Sequence, residues 1–311
     1  MSSDSILSAS YQAAKQVMKA HSKSFYQAFS AIPPHRFQRV AAVYAFCRYV
    51  DDLVDEASGP TSAILAELDL VAAAIDQLGQ APAPERLSQL AWWPAFQDTV
   101  LTFGVSGQAL LEQIQGQKTD LTFRAFDSLE NLEGYCRRVA GSVGAMLWPM
   151  LGHEEALAAA DQTPYLEVCY QLGVGMQLTN ILRDVGEDAR QRQRVYLPKD
   201  ILATYGWTTD QILTLANQAT SWRDIPASFG QVWEAMSKVS SRYYQTLDHH
   251  LATFHPSCRL GLLAAARIYH AIEDQVRDDH YNCLTKRHYT SPIKRLAIVN
   301  EAKQELKRQD L

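Results

Sequence analysis

Apolar residues recur at three- and four-residue steps along almost the whole sequence, and this spacing predicts α-helices. In HRFQRVAAVYAFCRYVDDLVD, residues 35–55, the apolar positions at these steps include Phe37, Val40, Val43, Tyr44 and Cys47. Pro33 and Pro34 directly before this run suit the start of a helix. The same spacing predicts helices at about 61–79, 95–117, 128–151, 153–189, 209–218, 228–253 and 258–285, and a last helix that opens at Ser291 and Pro292.

The sequence lacks the patterns that predict β-strands. Alternating runs of β-branched residues bounded by Asn-Gly or Asp-Gly turns do not occur. Thr208 and Gln211 in WTTDQIL instead have the spacing of a capping box, which begins a helix. The breaks GQAPAPE, RDIPASF and TFHPSC have the length of loops rather than of linkers. We therefore expect one all-α domain that spans residues 1–311.

Composition excludes several classes of protein. The formal net charge of −5 and the pI near 6.0 argue against nucleic-acid binding. The five cysteines are Cys47, Cys136, Cys169, Cys258 and Cys283. They lack the C-x-x-C spacing of a zinc site or redox pair and suit a reducing cytosol.

Nothing in the sequence predicts export or a membrane span. The first residues, MSSDSILSASYQAAKQ, lack the basic and apolar regions of a signal peptide. No uncharged apolar run approaches the ~20 residues that cross a bilayer. We expect a cytoplasmic protein whose membrane contact, if any, is peripheral and at the inner face. The sequence indicates no protein partner.

A first acidic cluster stands at the end of the apolar run 35–55. Asp51 and Asp55 are four residues apart and therefore lie on the same helix face, about one turn apart. Asp52 lies roughly 100° around the helix. Like charges at this spacing destabilise a helix unless a cation lies between them. Alone, the cluster is equally compatible with a role in binding a cation and with a solvated helix end.

A second acidic cluster favours the cation-binding interpretation. In QLTNILRDVGEDARQRQRVYLP, Asn180, Asp184 and Asp188 follow one another at four-residue steps and share one helix face. The preceding segment, VCYQLGVGMQL, is apolar and has the character of a buried helix. Two acidic clusters that each end a buried helix are not typical of solvated surface residues.

The ligand types indicate the ion and the substrate. Carboxylate and amide oxygens without nearby histidine or cysteine suit Mg²⁺, with Mn²⁺ as the alternative, and disfavour zinc. Mg²⁺ held by one or two carboxylates usually takes its other ligands from water and substrate phosphates. Arg48, Arg183 and Lys23 stand where they can complete a phosphate clamp, so a diphosphate ester is the expected substrate. Arg48 and Arg183 are alternatively simple ion-pair partners of the aspartates.

Five segments together resemble the squalene/phytoene synthase family, most closely its bacterial carotenoid-pathway members. They are, in order, HSKSF, DDLVD, GYCRRVAGSVG, NILRDVGED and RVYLPKD. Each is a modest match alone, but the set in the family's order and spacing is highly specific. The resemblance covers roughly residues 15 to 290.

The resemblance implies an all-α isoprenoid synthase fold, with two acidic clusters that face each other at the mouth of a central cavity. It also implies Mg²⁺-dependent head-to-head condensation of two prenyl diphosphates through a cyclopropylcarbinyl diphosphate. By motif, the metal-facing residues are Asp51, Asp55, Asn180, Asp184 and Asp188. The substrate-binding residues are His21, Ser24, Phe25, Arg48 and Arg183, with either Lys286 or Arg287. Tyr135, Gln177 and Tyr269 line the reacting centre.

Several rival functions stay open. DDLVD also fits head-to-tail prenyl synthases and terpene cyclases, whereas NILRDVGED followed by RVYLP favours head-to-head condensation. A non-catalytic helical protein that binds a structural cation is a further alternative. A di-iron bundle is excluded because the sequence has no Glu-x-x-His pairs. Within the family, squalene synthases reduce the intermediate with NADPH; the polar ending AKQELKRQDL is unlike the membrane anchor of the eukaryotic members.

Two further hypotheses concern the product and a loop. Phe25 and Phe29, four residues apart, place two rings on one helix face where they can shorten a prenyl tunnel. We therefore favour dehydrosqualene from farnesyl diphosphate, with phytoene from geranylgeranyl diphosphate as the alternative and no NADPH. The basic run ARQRQRVYLP is either a flap that closes over the diphosphates or a solvated loop.

Overall fold

The computed structural model describes residues 3–56 and 59–308, and in these residues it consists of helices and loops without a β-strand. The helices of the first half are α1 Ser3–His21, α2 Lys23–Phe29, α3 Pro34–Asp55, α4 Thr61–Asp76, α5 Glu85–Ser88, α6 Trp93–Phe103, α7 Gly107–Asp120, α8 Leu129–Cys136 and α9 Ser142–Leu151. Those of the second half are α10 Glu154–Leu157, α11 Thr163–Arg192, α12 Lys199–Thr204, α13 Thr209–Gln218, α14 Ala227–His250, α15 Pro256–Asp278 and α16 Pro292–Arg308. The expected all-α class is confirmed.

Local signals placed several helix starts correctly. α3 begins at Pro34, where the missing proline N–H costs no intrahelical hydrogen bond. α13 begins with the predicted capping box, in which Thr208 and Gln211 bond each other's backbone N–H. α16 begins at Pro292, as the Ser-Pro pair predicted.

Three predicted helices end or break earlier than their apolar spacing suggested. The predicted helix 95–117 is two helices, because Gly104 has a φ of +65° and Ser106 caps α7. The predicted helix 153–189 separates into the single turn α10 and the long α11, which begins at Thr163. The predicted helix 258–285 ends at Asp278. Buried residues continue the apolar spacing through the first and last of these breaks, at Val105, Cys283 and Leu284, whereas residues 158–162 are exposed or half-buried.

Helix α11 is the central element, and it contacts α9, α14 and α15. On one side of it, a core formed largely by α1, α3, α6 and α9 includes the stacked rings of Phe46 and Phe96, 4.6 Å apart. On the other side, Trp233 of α14 donates a hydrogen bond of 3.0 Å to the Leu182 carbonyl of α11. The two cores leave a cavity between them along α11.

A π-helical turn, Arg137–Gly141, joins α8 to α9 beside this cavity. A Cβ at Gly173 of α11 would lie 2.2 Å from the Ala140 carbonyl oxygen, so only glycine admits the turn at this distance. A Cβ at Gly116 of α7 would lie 2.6 Å from Val139. Single π-turns inside helices are frequent at functional sites, and this one directly follows Tyr135 and Cys136.

None of the helices in residues 3–56 and 59–308 combines the length and apolarity needed to cross a bilayer.

Candidate active site

A cavity of about 920 Å³ lies among α2, α3, α7, α9, α11 and α15. This volume is at the upper end of the roughly 300–1,000 Å³ of small-molecule sites. One part of the wall is apolar and includes Phe25, Phe29, Leu147, Leu151, Phe254 and Leu262. The remaining part carries acidic, basic and amide side chains. A long apolar ligand with a charged head fits such a division.

The structure brings fourteen of the fifteen candidate residues to this cavity. They are His21, Ser24, Phe25, Arg48, Asp51, Asp55, Tyr135, Gln177, Asn180, Arg183, Asp184, Asp188, Tyr269 and Arg287. Lys286 is the exception: its side chain is 61% exposed and pairs with Asp279 at 3.1 Å, away from the cavity wall. Of the two basic residues that the motif left open, Arg287 is therefore the one that the structure places at the site.

The two acidic clusters face each other across the cavity. The guanidinium of Arg192 lies 3.1 Å from Asp55 on α3 and 3.2 Å from Asp188 on α11. One guanidinium group is only a few ångströms wide, so it can touch both helices only if their carboxylates converge. The expected face-to-face arrangement of Asp51 and Asp55 against Asp184 and Asp188 is thus present in the geometry.

Burial and neighbouring like charges disfavour ionisation of one carboxyl group in each cluster. Burial raises the pKa of Asp51 to about 7, and the Asp55 carboxylate adds to the rise. Burial likewise raises the pKa of Asp188 to about 7, with Asp184 as the next cause. Although 38% of the Asp51 side chain can be reached by solvent, its carboxylate lies deep among protein atoms, so desolvation still dominates. A cation between the clusters would relieve this repulsion.

Asn180 provides a second observation that fits a cation. Its Oδ1 atom is buried and has no hydrogen-bond partner, while its Nδ2 donates to the Gln177 Oε1 at 3.2 Å. A buried acceptor without a donor is costly unless something fills its place. No three His, Cys, Asp or Glu side chains of the described residues group as the ligands of one ion. The carboxylate and amide oxygens at the site are donors of the type that Mg²⁺ binds.

The three arginines that are candidate diphosphate ligands lie beside the acidic clusters. Arg48 lies 3.7 Å from Asp51 and also pairs with Asp52. Arg183 is buried and donates from Nε to Asp184 at 2.7 Å. Arg287 contacts the same Asp184 carboxylate at 3.1 Å. Because these arginines pair with aspartates and also line the cavity, both interpretations of them, as ion-pair partners and as phosphate ligands, remain compatible with the geometry.

The residues expected at the reacting centre have well-defined partners. The Tyr135 hydroxyl donates to Asp120 Oδ2 at 2.7 Å. Burial raises the pKa of Tyr135 well above its usual value, so the phenol stays protonated at neutral pH. The Tyr269 ring lies 4.9 Å from the Phe25 ring, and Phe25 stacks on Phe29 at 5.9 Å. The rings thus form a continuous aromatic wall.

A polar stripe on α7 was not predicted from the sequence. Gln113, Gln117 and Asp120 are almost fully buried and line the cavity. Gln117 donates to the Asp51 carboxylate at 2.8 Å. Their spacing of four and three residues places them on one helix face. This spacing of polar residues is the sequence feature from which the stripe could have been predicted.

Asp120 organises a small buried network. Its Oδ1 accepts from the Tyr196 hydroxyl at 2.9 Å, and its backbone carbonyl accepts from Arg194 at 2.6 Å. Arg194 also lies 3.8 Å from Asp55. Asp120 therefore connects Tyr135 to the first acidic cluster, a link that only the fold reveals.

The basic run 189–198 is solvated only in part: Arg190, Gln191 and Gln193 are exposed, whereas residues 194–198 are buried against the protein. Arg190 donates to the Ala216 carbonyl at 3.0 Å, and Arg194 is 9% exposed. The Val195 N–H donates to the Arg124 carbonyl at 3.0 Å, and Val195 and Leu197 are buried. The motion that a flap requires stays a prediction.

Solved structures share this fold. A structure described as a dehydrosqualene synthase in complex with a ligand is 30% identical, with a TM-score of 0.82 over 97% of this chain and 98% of that one. The squalene synthase HpnC from Alicyclobacillus acidocaldarius has a TM-score of 0.71 over 89% of this chain and 96% of that one; at 22% identity it shows the fold alone. The chain has the all-α isoprenoid synthase fold.

Sequence comparison identifies the family. The squalene/phytoene synthase family matches residues 18–294. A phytoene synthase of Arthrospira platensis is 31% identical over 295 residues, which are 92% of this chain and 90% of that protein. A chloroplastic phytoene synthase of an Oncidium hybrid cultivar is 31% identical over 296 residues, 94% of this chain but 68% of that protein. The chain belongs to the squalene/phytoene synthase family, which consists of prenyltransferases that act on prenyl diphosphates and generally use a divalent metal.

Proposed function

We propose that this protein condenses two farnesyl diphosphates head to head, through a cyclopropylcarbinyl diphosphate, to give dehydrosqualene for carotenoid biosynthesis in the cytoplasm. The observation that supports this chain length is the paired rings of Phe25 and Phe29. Both line the cavity, they stack at 5.9 Å, and Phe29 is only 2% exposed. Rings at two levels of the wall leave less depth for a prenyl tail, which favours a C15 substrate over a C20 one.

The polar part of the cavity would bind the diphosphate. Arg48, Arg183 and Arg287 would hold the diphosphate. Each is paired with an aspartate of the clusters. When the arginine turns to the diphosphate, that aspartate becomes free to bind the metal ion. Asp51, Asp55, Asn180, Asp184 and Asp188 would hold Mg²⁺, or Mn²⁺ in its place. The bound ion supplies Lewis-acid stabilisation of the departing diphosphate.

The aromatic wall protects the positive charge that ionisation leaves on the prenyl chain. The faces of Phe25 and Tyr269 can each stabilise a cation by roughly 0.5 to 2 kcal/mol, more where water is excluded. Tyr135 is held by its hydrogen bond to Asp120, so its oxygen keeps a defined place at the cavity wall. Apolar residues on the rest of the wall exclude water that would otherwise quench the cation.

Phytoene synthesis from two geranylgeranyl diphosphates is the second candidate. It is supported by the curated relatives, since those from Arthrospira platensis and the Oncidium hybrid are both phytoene synthases. Neither product requires reduction, so we propose that NADPH is not used.

Product analysis separates these functions. The protein is incubated with Mg²⁺ and either farnesyl or geranylgeranyl diphosphate, with and without NADPH, and the extracted hydrocarbons are identified by mass spectrometry. We expect dehydrosqualene from farnesyl diphosphate without NADPH. A clear preference for the C20 substrate would establish phytoene synthesis instead, and squalene formed only with NADPH would establish squalene synthesis. Release of no diphosphate from either substrate would leave a non-catalytic metal-binding protein.

A further inference from the structure

We propose that the outer face of α16, together with Tyr289, docks this protein onto an anionic lipid bilayer. Ile293 is 83% exposed, Leu296 61% and Tyr289 60%, and these are the most exposed large apolar residues in the described part of the chain. They lie within a single short segment, 289–296. Isolated exposed apolar residues are ordinary, whereas a group of them marks an interaction surface.

The apolar group points away from the protein because of how α16 packs. Ile298, Ala302 and Leu306 form the buried side of the helix, which contacts α15. At 3.6 residues per turn, Ile293 and Leu296 lie on the opposite side of the helix. The helix is thus anchored by one face and presents the other to its surroundings.

Charge identifies the partner as anionic. Segment 286–308 carries seven basic residues, Lys286, Arg287, Lys294, Arg295, Lys303, Lys307 and Arg308, against two acidic ones, Glu301 and Glu305. This segment is therefore strongly positive within a chain whose net charge is −5. Lys294, Lys303 and Lys307 make no ion pair with any residue in 3–56 or 59–308, and Glu305 is paired with Arg267 at 3.5 Å. Exposed apolar side chains flanked by free lysines are the combination that binds anionic membrane surfaces.

The same surface adjoins the cavity. Tyr289, Thr290 and Arg295 line it, and the Tyr289 ring lies 5.7 Å from the Arg287 guanidinium. A hydrocarbon without a charged group is insoluble in water, so an opening held against a bilayer would let it leave directly into lipid. Release of a hydrocarbon product into lipid rests on the proposed function, but binding of the protein to the bilayer does not.

Vesicle co-sedimentation tests the binding without substrate or metal. We expect the protein to bind vesicles of phosphatidylcholine and phosphatidylglycerol, to bind phosphatidylcholine alone weakly, and to lose binding as salt rises. The double variant Ile293→Ser/Leu296→Ser should bind at least about tenfold more weakly. Replacing Lys294, Lys303 and Lys307 by Gln should lower the partition coefficient about fivefold per charge at low salt. The matched control is Leu101→Ser on α6, where Leu101 is 52% exposed; it should bind like wild type.

Three results would overturn the proposal. The first is a wild-type protein that does not sediment with either vesicle. The second is equal binding by the α16 double variant and the Leu101 control, with circular dichroism showing both folded. The third is a wild-type dimer in sedimentation velocity that the double variant converts to monomer, because the face would then join two copies. Diphosphate release measured in detergent is a separate readout, so loss of catalysis and loss of vesicle binding are distinguished.

Discussion

Single residues set the electrostatic character of the site. Asp51 and Asp188 are buried beside like charges, which raises the pKa of each to about 7. A carboxyl group whose pKa is raised on folding destabilises the folded state increasingly as pH rises from its unfolded pKa towards its folded one. The site therefore stores repulsion that the fold tolerates, as expected where charge is needed for function rather than for stability.

Neutralising one carboxylate separates its contribution to catalysis from its effect on stability. Asp51→Asn or Asp184→Asn should lower turnover by about 10²-fold or more, as removal of one preorganised electrostatic group does elsewhere. For Asp51→Asn, thermal unfolding at pH 7.5 without Mg²⁺ should show stability equal to or above wild type, because the cost of burying the charge and the repulsion with Asp55 are both removed. Steady-state kinetics at saturating Mg²⁺ check the first expectation. Near-wild-type turnover of either variant would contradict the metal assignment.

Asp120 acts through Tyr135, so the two should not behave independently. Asp120→Asn keeps the shape of the side chain but removes the charge that orients the Tyr135 hydroxyl, and we expect a loss of about tenfold or more in kcat. The control is Tyr135→Phe, alone and combined with Asp120→Asn. Residues in direct contact give non-additive effects in a double-mutant cycle. Additive losses would show that Asp120 has a role separate from Tyr135.

At the level of helices, close approach of backbones shapes the site. Gly173 of α11 lies against the π-turn that follows Tyr135, and an added Cβ would meet backbone atoms, the Ala140 oxygen at 2.2 Å and the Gly141 Cα at 2.7 Å. Backbone cannot rotate aside as a side chain can. The turn and α11 must therefore separate if the glycine is replaced.

Gly173→Ala should destabilise the protein by about 1–3 kcal/mol, the usual cost of overpacking, and should also lower activity by displacing Tyr135. Urea unfolding measures the first effect. Gly134→Ala on α8 is the matched control, since its Cβ would meet only the Arg138 side chain at 3.9 Å. Alanine there should be neutral or stabilise by about 0.5–1 kcal/mol through helix propensity. Equal destabilisation by both variants would show that the π-turn contact is unimportant.

The end of α11 is the element where a flap would have to open. Arg190 and Arg194 are fastened to backbone carbonyls, whereas Arg192 bridges Asp55 and Asp188, the residues that a metal and diphosphate would engage. Trypsin should therefore cut slowly after Arg192 in the free protein and more slowly with Mg²⁺ and a diphosphate analogue. Cleavage after exposed Arg223 serves as the reference. An unchanged ratio of the two cuts would argue against a ligand-dependent flap.

At the scale of the whole molecule, the depth of the cavity depends on residues from distant parts of the chain. Phe29 of α2, Leu151 of α9 and Phe254 near α15 all line it. Phe29→Ala removes a ring from this wall, and we expect it to raise the efficiency of geranylgeranyl diphosphate relative to farnesyl diphosphate and to yield some C40 product. Competition between the two substrates, followed by product analysis, provides the ratio. A ratio equal to that of wild type would show that Phe29 is ordinary core packing.

The sequence by itself determined the helical class, most helix starts and the two clusters, because each depends on neighbours a few residues away. The three- and four-residue spacing of apolar residues and the in-line oxygens of Asn180, Asp184 and Asp188 are local facts that any helix would realise. What could not be read in this way is which helix faces which. The bridge from Arg192 to Asp55, the choice of Arg287 over Lys286, and the link from Asp120 to Tyr135 join residues brought together by packing. Only the tertiary structure decides such contacts, because burial and mutual orientation belong to pairs of elements and not to any one stretch of chain.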